Sequence, residues 1–336
     1  MEVYMIRYAT IGTGWITDAF IRGASMVPEL QLAAVYSRTE KGAIQFASKY
    51  AGEIQLFTDL TSMAACPDID AVYIASPNSL HYSQSKLFLE HGKHVICEKP
   101  AVVLPREMRV LQHIAKERGL IYMEAIMMMH LPARRVLHDA VKKLGRIYSA
   151  RIDFSQLSSK YPSLLEGGLP NIFNPAFATG ALMDLGIYCV YPVIDLFGMP
   201  VSLRADALFL PTGADGVGNC LFIYQDKHIN ISYSKVGQDR IGSEIIGDAG
   251  TLRIQSISQL GGIALVQMDG TEIPIWGHDE KDVLMSGEAQ DFARYILNFD
   301  SSREEYEAAS ALSLDVSLVM DEIRNSAGIQ FSLDCP

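Results

Sequence analysis

Residues 6–17 read IRYATIGTGWIT, a short apolar run, two glycines one residue apart, and the start of an amphipathic stretch. A strand that ends in such a turn and opens a helix is the first piece of a parallel βαβ sheet. Gly12 permits the tight turn, and Gly14 lets the backbone approach a pyrophosphate seated on the N–H groups of the helix start. Thr13, Trp15 and Ile16 complete the candidate cofactor-contacting turn, and Thr17 stands where a third glycine would serve only close helix packing. By itself the pattern is also what a chance glycine turn gives, so its setting must decide.

The setting repeats the rhythm. LQLAAVYS (30–37), DAVYIAS (70–76), HVICEK (94–99) and LIYMEA (120–125) are short apolar runs with amphipathic stretches from about Trp15, Thr39 and Ser79 between them, and AVYIAS and HVIC are apolar without alternation, as strands covered on both faces are. The fold class this predicts is α/β, a doubly wound parallel sheet of the Rossmann type over residues 1–125. After residue 125 come a helix at LPARRVLHDAVKKLG, a Pro-, Gly- and Asn-rich loop from Ser158 to Pro175, an apolar helix at GALMDLGIYCVYPVIDLFG and then mostly strands. HINISYS (228–234) sets Ile229, Ile231 and Tyr233 against polar neighbours, the period of a half-buried strand. Residues 126–336 therefore form an α+β substrate-binding domain on a large open mixed or antiparallel sheet, whose last helix is a candidate to pack back on the first domain. A sheet with one helical layer leaves its other face to water or to a second subunit, so a homodimer or higher homo-oligomer through that sheet is expected.

With 336 residues, 49% of them hydrophobic and 20% charged, the chain has the composition of an ordinary globular protein of two cores. A formal charge of -11 with no basic cluster argues against nucleic acid as a partner. Cys66, Cys97, Cys189, Cys220 and Cys335 form no CxxC pair, which suggests a reducing, cytoplasmic location rather than a disulfide framework. Asp184 and Asp195 interrupt the richest apolar stretch, and no leader pattern opens the chain, so neither a membrane span nor export is expected. The eight histidines show no metal-binding spacing, and no metal is expected. The methionines 127 to 129 read as core or pocket wall.

Three further strand ends carry polar residues to the carboxyl edge, where such sheets bind ligands. The second ends AVYSRTE, with Ser37 and Arg38 where an NAD-binding acid would stand about 20 residues past the glycines. A hydroxyl and a guanidinium suit the 2′-phosphate of NADP, with NAD the alternative if Arg38 is only a solvated side chain. IASPNSLH brings Ser76, Asn78 and His81 to the same edge, although Asn78 could equally cap the helix and His81 lie on its surface. VICEKP delivers Glu98 and Lys99, and Pro100, through a trans or a cis bond, ends the ladder and aims Lys99 at the nicotinamide end of a cofactor. The bland reading of Lys99 is a solvated strand terminus.

IGTGWI, YSR, IASPNSLH and CEKP, in this order and followed by GALMDLGIY, resemble the glucose-fructose oxidoreductase and inositol dehydrogenase family, Gfo/Idh/MocA, over nearly the whole chain. GALMDLGIYCV is most similar to the branch of dimeric dihydrodiol dehydrogenases and certain xylose dehydrogenases. The resemblance implies NAD(P)-dependent hydride transfer on sugars, polyols or small diols, in a crevice between the two domains, with Lys99 and Asp184 as site residues. Two departures stand out. Tyr188 replaces the histidine that many members carry four residues after the aspartate, and in the dihydrodiol-like branch a tyrosine here is the proton donor and acceptor. Met129 and Leu131 stand where that branch has an arginine and a histidine, and Gly180 is the surviving glycine of a cluster before the aspartate.

On a helix, Asp184 and Tyr188 share a face. A phenol with its usual pKa of about 10 becomes a better base beside an ammonium, which gives Lys99, Tyr188 and Asp184 coherent catalytic roles. The competing reading of Tyr188 is a core tyrosine with its hydroxyl bonded. The loop 158 to 175, with Tyr161, Asn171 and Asn174, is the candidate cover over a small-molecule substrate. The rival function is a sensor or regulator that binds NADP without turnover.

Overall fold

The computed structural model describes residues 4–331 and divides into two compact units. One holds the chain up to His130 together with Glu280–Ser313, and the other holds Leu131–Asp279 with the chain from Leu314 onward. The first unit thus runs five residues past the anticipated boundary at 125 and takes in a distant segment as well. Cys335 lies outside the described residues.

In the first unit the strands β1 (Ile6–Ile11), β2 (Leu30–Tyr36), β3 (Gln55–Phe57), β4 (Ala71–Ile74), β5 (His94–Glu98) and β6 (Tyr122–Ala125) form a sheet in the order β3-β2-β1-β4-β5-β6. Every pairing in it is parallel. Helices α1 (Trp15–Ala24), α2 (Glu40–Ala47), α3 (Leu60–Ala65), α4 (Asn78–Glu90) and α5 (Pro105–Arg118) make the crossovers. All four residues of β4 are buried, which explains the unbroken apolar run in the sequence. Local chemistry sets the helix ends: Thr39 accepts from the Gly42 N–H at 3.2 Å, Asp59 accepts from the Ser62 N–H at 2.7 Å, and Gly119 closes α5 with a φ of 64°.

The second unit contains α6 (Pro132–Val141), β7 (Ile147–Ser155), the short α7 (Tyr161–Leu165) and α8 (Ile187–Phe197). They are followed by β8 (Ser202–Phe209), β9 (Asp215–Ile223), β10 (His228–Ser234), β11 (Ser243–Gly247), β12 (Gly250–Ser256), β13 (Gly261–Val266) and β14 (Glu272–Trp276). The order is β14-β13-β12-β11-β7-β10-β9-β8, with β7 and β10 parallel and the other neighbours antiparallel. One face buries Ala150, Ile152, Ile229, Ile231, Tyr233, Leu252 and Ile254, with α8 packed on β7 and β10. The opposite face carries Arg151, Glu244 and Arg253 in register across β7, β11 and β12, with ion pairs Arg151–Glu244 and Arg253–Glu272.

The stretch Pro175–Phe197 is long and apolar enough by composition to cross a bilayer, but 83% of its richest window is buried within the protein. It is the core helix of its unit, and Asp195 within it pairs with Arg134 and His138. The last two helices are α9 (Lys281–Leu297) and α10 (Phe299–Ala327). α9 packs against α1, so closely that a Cβ on Gly23 would lie 2.7 Å from the Met285 backbone.

Candidate active site

β1, β4 and β5 deliver their carboxyl ends to one edge of the parallel sheet, and the order reverses beside β1, where such sheets open a binding crevice. At the end of β1, Gly12 has a φ of +110°, and a Cβ there would stand 2.5 Å from the Ala75 carbonyl oxygen, so the turns after β1 and β4 can abut only around glycine. Gly14 caps α1 with no atom within 4 Å of where a Cβ would be, leaving bare backbone at the helix start. Thr13 is exposed and Ile16 half-buried, while Trp15 is 71% exposed with the Lys281 ammonium 5.9 Å from its ring centre. Thr17 is fully buried, so its small side chain occupies the space a third glycine would leave. After β2, Ser37 is half-buried and Arg38 exposed at the mouth of α2. Bare backbone at a helix start, with a hydroxyl and a guanidinium beside the second strand, fits a dinucleotide bearing a 2′-phosphate.

The turn after β4 is braced rather than open. Ser76 donates its hydroxyl to Gln84 at 2.7 Å, and Pro77 is the N-cap of α4 with Asn78 its first residue, so the cap proposed for Asn78 falls one position earlier. His81 is buried, with Nδ1 2.8 Å from the Pro100 carbonyl and Nε2 2.8 Å from the Ser76 carbonyl. Burial holds its pKa down, and a neutral imidazole can donate to only one of these at a time. His81 therefore ties the turn after β4 to the turn after β5. It is neither the surface residue nor the ligand-facing group that the sequence suggested.

The Lys99–Pro100 peptide bond is cis. Lys99 is half-buried at the exit of β5, and its N–H donates to the Glu98 carboxylate at 3.3 Å. Glu98 is buried at the end of β5, where the Tyr73 hydroxyl donates to it at 2.5 Å. Two residues of α9 that sequence reading missed join this cluster. Glu288 is buried with neither carboxyl oxygen hydrogen-bonded among the described residues, and burial next to Glu98 raises its pKa well above the usual range. Lys281, whose pKa burial lowers, supplies the compensating charge. Nothing short of the fold could have linked residues so distant in sequence from Glu98.

In the second unit, Asp184 does not sit on a regular α-helix. Leu182–Gly186 form a π-turn that runs into α8, so Asp184 and Tyr188 are separated by a wider turn than the α-helical spacing assumed. The Asp215 carboxylate accepts from the Leu182 N–H at 2.7 Å and thereby fastens the start of that turn. Gly180, with a φ of +154°, leaves room for it. Asp184 forms an ion pair with Lys235, an ammonium the sequence gave no reason to single out. Tyr188 sets its ring edge-on to Phe154, with centroids 5.5 Å apart. In the loop 158 to 175, Tyr161 packs on Phe173 at 6.3 Å, and the carbonyls of Asn171 and Asn174 accept from the Thr179 hydroxyl at 2.9 and 3.0 Å. Met129 and Leu131 are both buried.

Residues 6–126 match the Gfo/Idh/MocA oxidoreductase family with its NAD-binding Rossmann fold, and residues 133–253 match the Gfo/Idh/MocA C-terminal domain. The chain belongs to the Gfo/Idh/MocA family. Among its Gfo/Idh/MocA relatives is a scyllo-inositol 2-dehydrogenase (NADP(+)) of Bacillus subtilis, 37% identical over 330 residues, covering 98% of this chain and 99% of the relative. A trans-1,2-dihydrobenzene-1,2-diol dehydrogenase of Danio rerio is 26% identical over 343 residues, covering 98% and 99%. A 3-ketoreductase from Actinomadura kijaniata, solved with NADP and TDP-benzene, shares the fold with a TM-score of 0.83 at 23% identity, covering 96% of this chain and 98% of that one.

Proposed function

We propose that the protein is an NADP-dependent dehydrogenase acting on a CH–OH carbon of a sugar, polyol or small diol, with NAD as the weaker cofactor. The observation that carries this reading is the sheet edge itself: one edge presents the bare Gly14 turn, Arg38 and, two strands away from β1, Lys99. The full-length similarity to an NADP(+)-dependent scyllo-inositol 2-dehydrogenase supports the substrate class. Gly12, Gly14 and the first turn of α1 would hold the pyrophosphate, and Ser37 and Arg38 the 2′-phosphate.

When bound at this edge, nicotinamide would supply the hydride acceptor for oxidation and the hydride donor for reduction. In the oxidative direction Tyr188 takes the proton of the substrate hydroxyl as the C–H electron pair leaves, and in reduction it returns that proton. Lys99 bonds the reacting oxygen and stabilises the negative charge that develops on it. Asp184, a carboxylate that can only accept, orients a substrate hydroxyl. The unpaired Cys66, Cys97, Cys189 and Cys220 support a reducing, cytoplasmic setting, and the charged open face of the second sheet supports a contact with another copy. A monomeric mass by light scattering would remove that contact.

The test is a rate assay with NADP+ and NAD+ against inositols, aldoses and trans-dihydrodiols, followed by nicotinamide absorbance. Turnover of at least one class with NADP+ preferred is the expected result. Tight NADPH binding with no turnover across the panel would overturn the reading in favour of a cofactor sensor.

A further inference from the structure

Lys235 follows the last residue of β10, and two backbone bonds hold it in place. Its N–H donates to the Gly216 carbonyl at 2.9 Å, and its carbonyl accepts from the Ser158 N–H at 2.9 Å. The first bond ties it to β9 beside Asp215, and the second ties it to the head of the loop 158 to 175. From this anchored position its ammonium meets the Asp184 carboxylate. The lysine side chain is only 6% exposed, whereas that of Asp184 is 27% exposed, so the cation lies beneath and the anion faces outward.

Asp215 is the second carboxyl group within reach of that charge. It is fully buried, one oxygen is engaged by the Leu182 N–H, and the other has no hydrogen-bond partner among the described residues. Burial raises its pKa to about 6 from 3.8, and the nearby Lys235 charge offsets only part of that rise. One ammonium thus serves two carboxyl groups that bracket the π-turn, Asp215 fastening its first N–H and Asp184 projecting from its middle. π-turns recur at functional sites because the extra residue re-aims a side chain, and a re-aimed carboxylate is useful only if something fixes its direction. A lysine on a flexible stem would not do so, but this one is buried and held at both sides of its own Cα.

We propose that Lys235 is a positioning residue for the reaction, holding the Asp184 carboxylate in the orientation that receives a substrate hydroxyl. The inference rests on the dehydrogenase reading. Because the cation is sequestered, Lys235 acts through Asp184 and touches neither substrate nor cofactor. Its loss should therefore appear in substrate handling and leave the cofactor site alone.

The experiment compares the full chain with Lys235→Met, Lys235→Arg, Asp184→Asn and the Lys235→Met/Asp184→Asn double variant. Lys235→Met should lower kcat/KM for the best polyol or sugar by about tenfold or more, mainly through KM, with NADPH affinity within about twofold of wild type. Lys235→Arg should recover most of that loss. The double variant should be no worse than Asp184→Asn alone, because the two residues act as one unit. Losses that simply multiply in the double variant, or an unchanged KM in Lys235→Met, would overturn the proposal. A second readout does not depend on turnover or on the folding of the methionine variant: the ¹⁵N–¹H ammonium signal of a buried, paired Lys235 should be present in wild type and lost in Asp184→Asn. Its absence in wild type, or its persistence in the variant, would overturn the pairing. If wild type turns over none of the panel, the dehydrogenase reading falls, while the ammonium signal still decides whether Lys235 holds Asp184.

Discussion

Tyr73 donates its hydroxyl to Glu98 at 2.5 Å in the core of the dinucleotide unit, and that bond decides which of two neighbouring carboxyl groups keeps a proton. Glu98 also accepts from the Lys99 N–H, so its charge is supported, whereas Glu288 has no hydrogen-bond partner for either oxygen among the described residues. Two adjacent buried carboxyl groups cannot both ionise cheaply, and the proton belongs on Glu288.

Glu288→Gln should therefore stabilise the protein in a pH-dependent way. A carboxyl group whose folded pKa is raised contributes stability below its unfolded value of 4.5, and this is lost as pH rises through the folded value. The variant should match wild type near the unfolded value and exceed it by about 1–2 kcal/mol in mildly alkaline solution. Urea midpoints measured at both pH values check this, and a variant less stable than wild type at alkaline pH would contradict it.

Asp215 offers the same argument at a milder pH. Burial raises its pKa to about 6 from 3.8, so wild-type stability should fall across that interval as pH increases. Asp215→Asn keeps an acceptor for the Leu182 N–H and cannot ionise. Its stability curve should lack that fall, a difference of about 2–3 kcal/mol at most by linkage. Parallel pH curves for the two proteins would show that Asp215 titrates normally.

Arg38 stands exposed at the mouth of α2, where a 2′-phosphate would meet it. Arg38→Ala should raise the KM for NADP+ by about tenfold, the loss expected for one charge-assisted contact, and leave that for NAD+ nearly unchanged. An unaltered preference between the two cofactors would remove Arg38 from the phosphate site.

Much of the fold was legible because its signals are local. The alternation of unbroken apolar runs with helical stretches marks a parallel sheet, and the period-2 pattern of HINISYS marks its different partner. The glycine turn and the Lys99–Pro100 exit were legible for the same reason, since each needs only a few consecutive residues. What escaped was held by distance in sequence. Glu288 and Lys281 reach the Glu98 cluster through a segment that returns to the first unit, while Lys235 reaches Asp184, and Asp215 the Leu182 N–H, from strands far along the chain. His81 was misjudged because a histidine one turn into a helix reads as exposed, and only the approach of the Ser76 and Pro100 carbonyls explains its burial. The π-turn left no sequence mark at all, since nothing in LMDLG distinguishes it from an α-helical turn.

The most direct test of the whole account is a single comparison of catalysis with cofactor affinity. Tyr188→Phe and Lys99→Met, assayed on the best NADP+-dependent substrate, should each lower kcat by about a hundredfold or more while NADPH affinity stays within about twofold of wild type. Turnover near the wild-type rate in either variant would contradict the assignment of proton transfer to that phenol and ammonium.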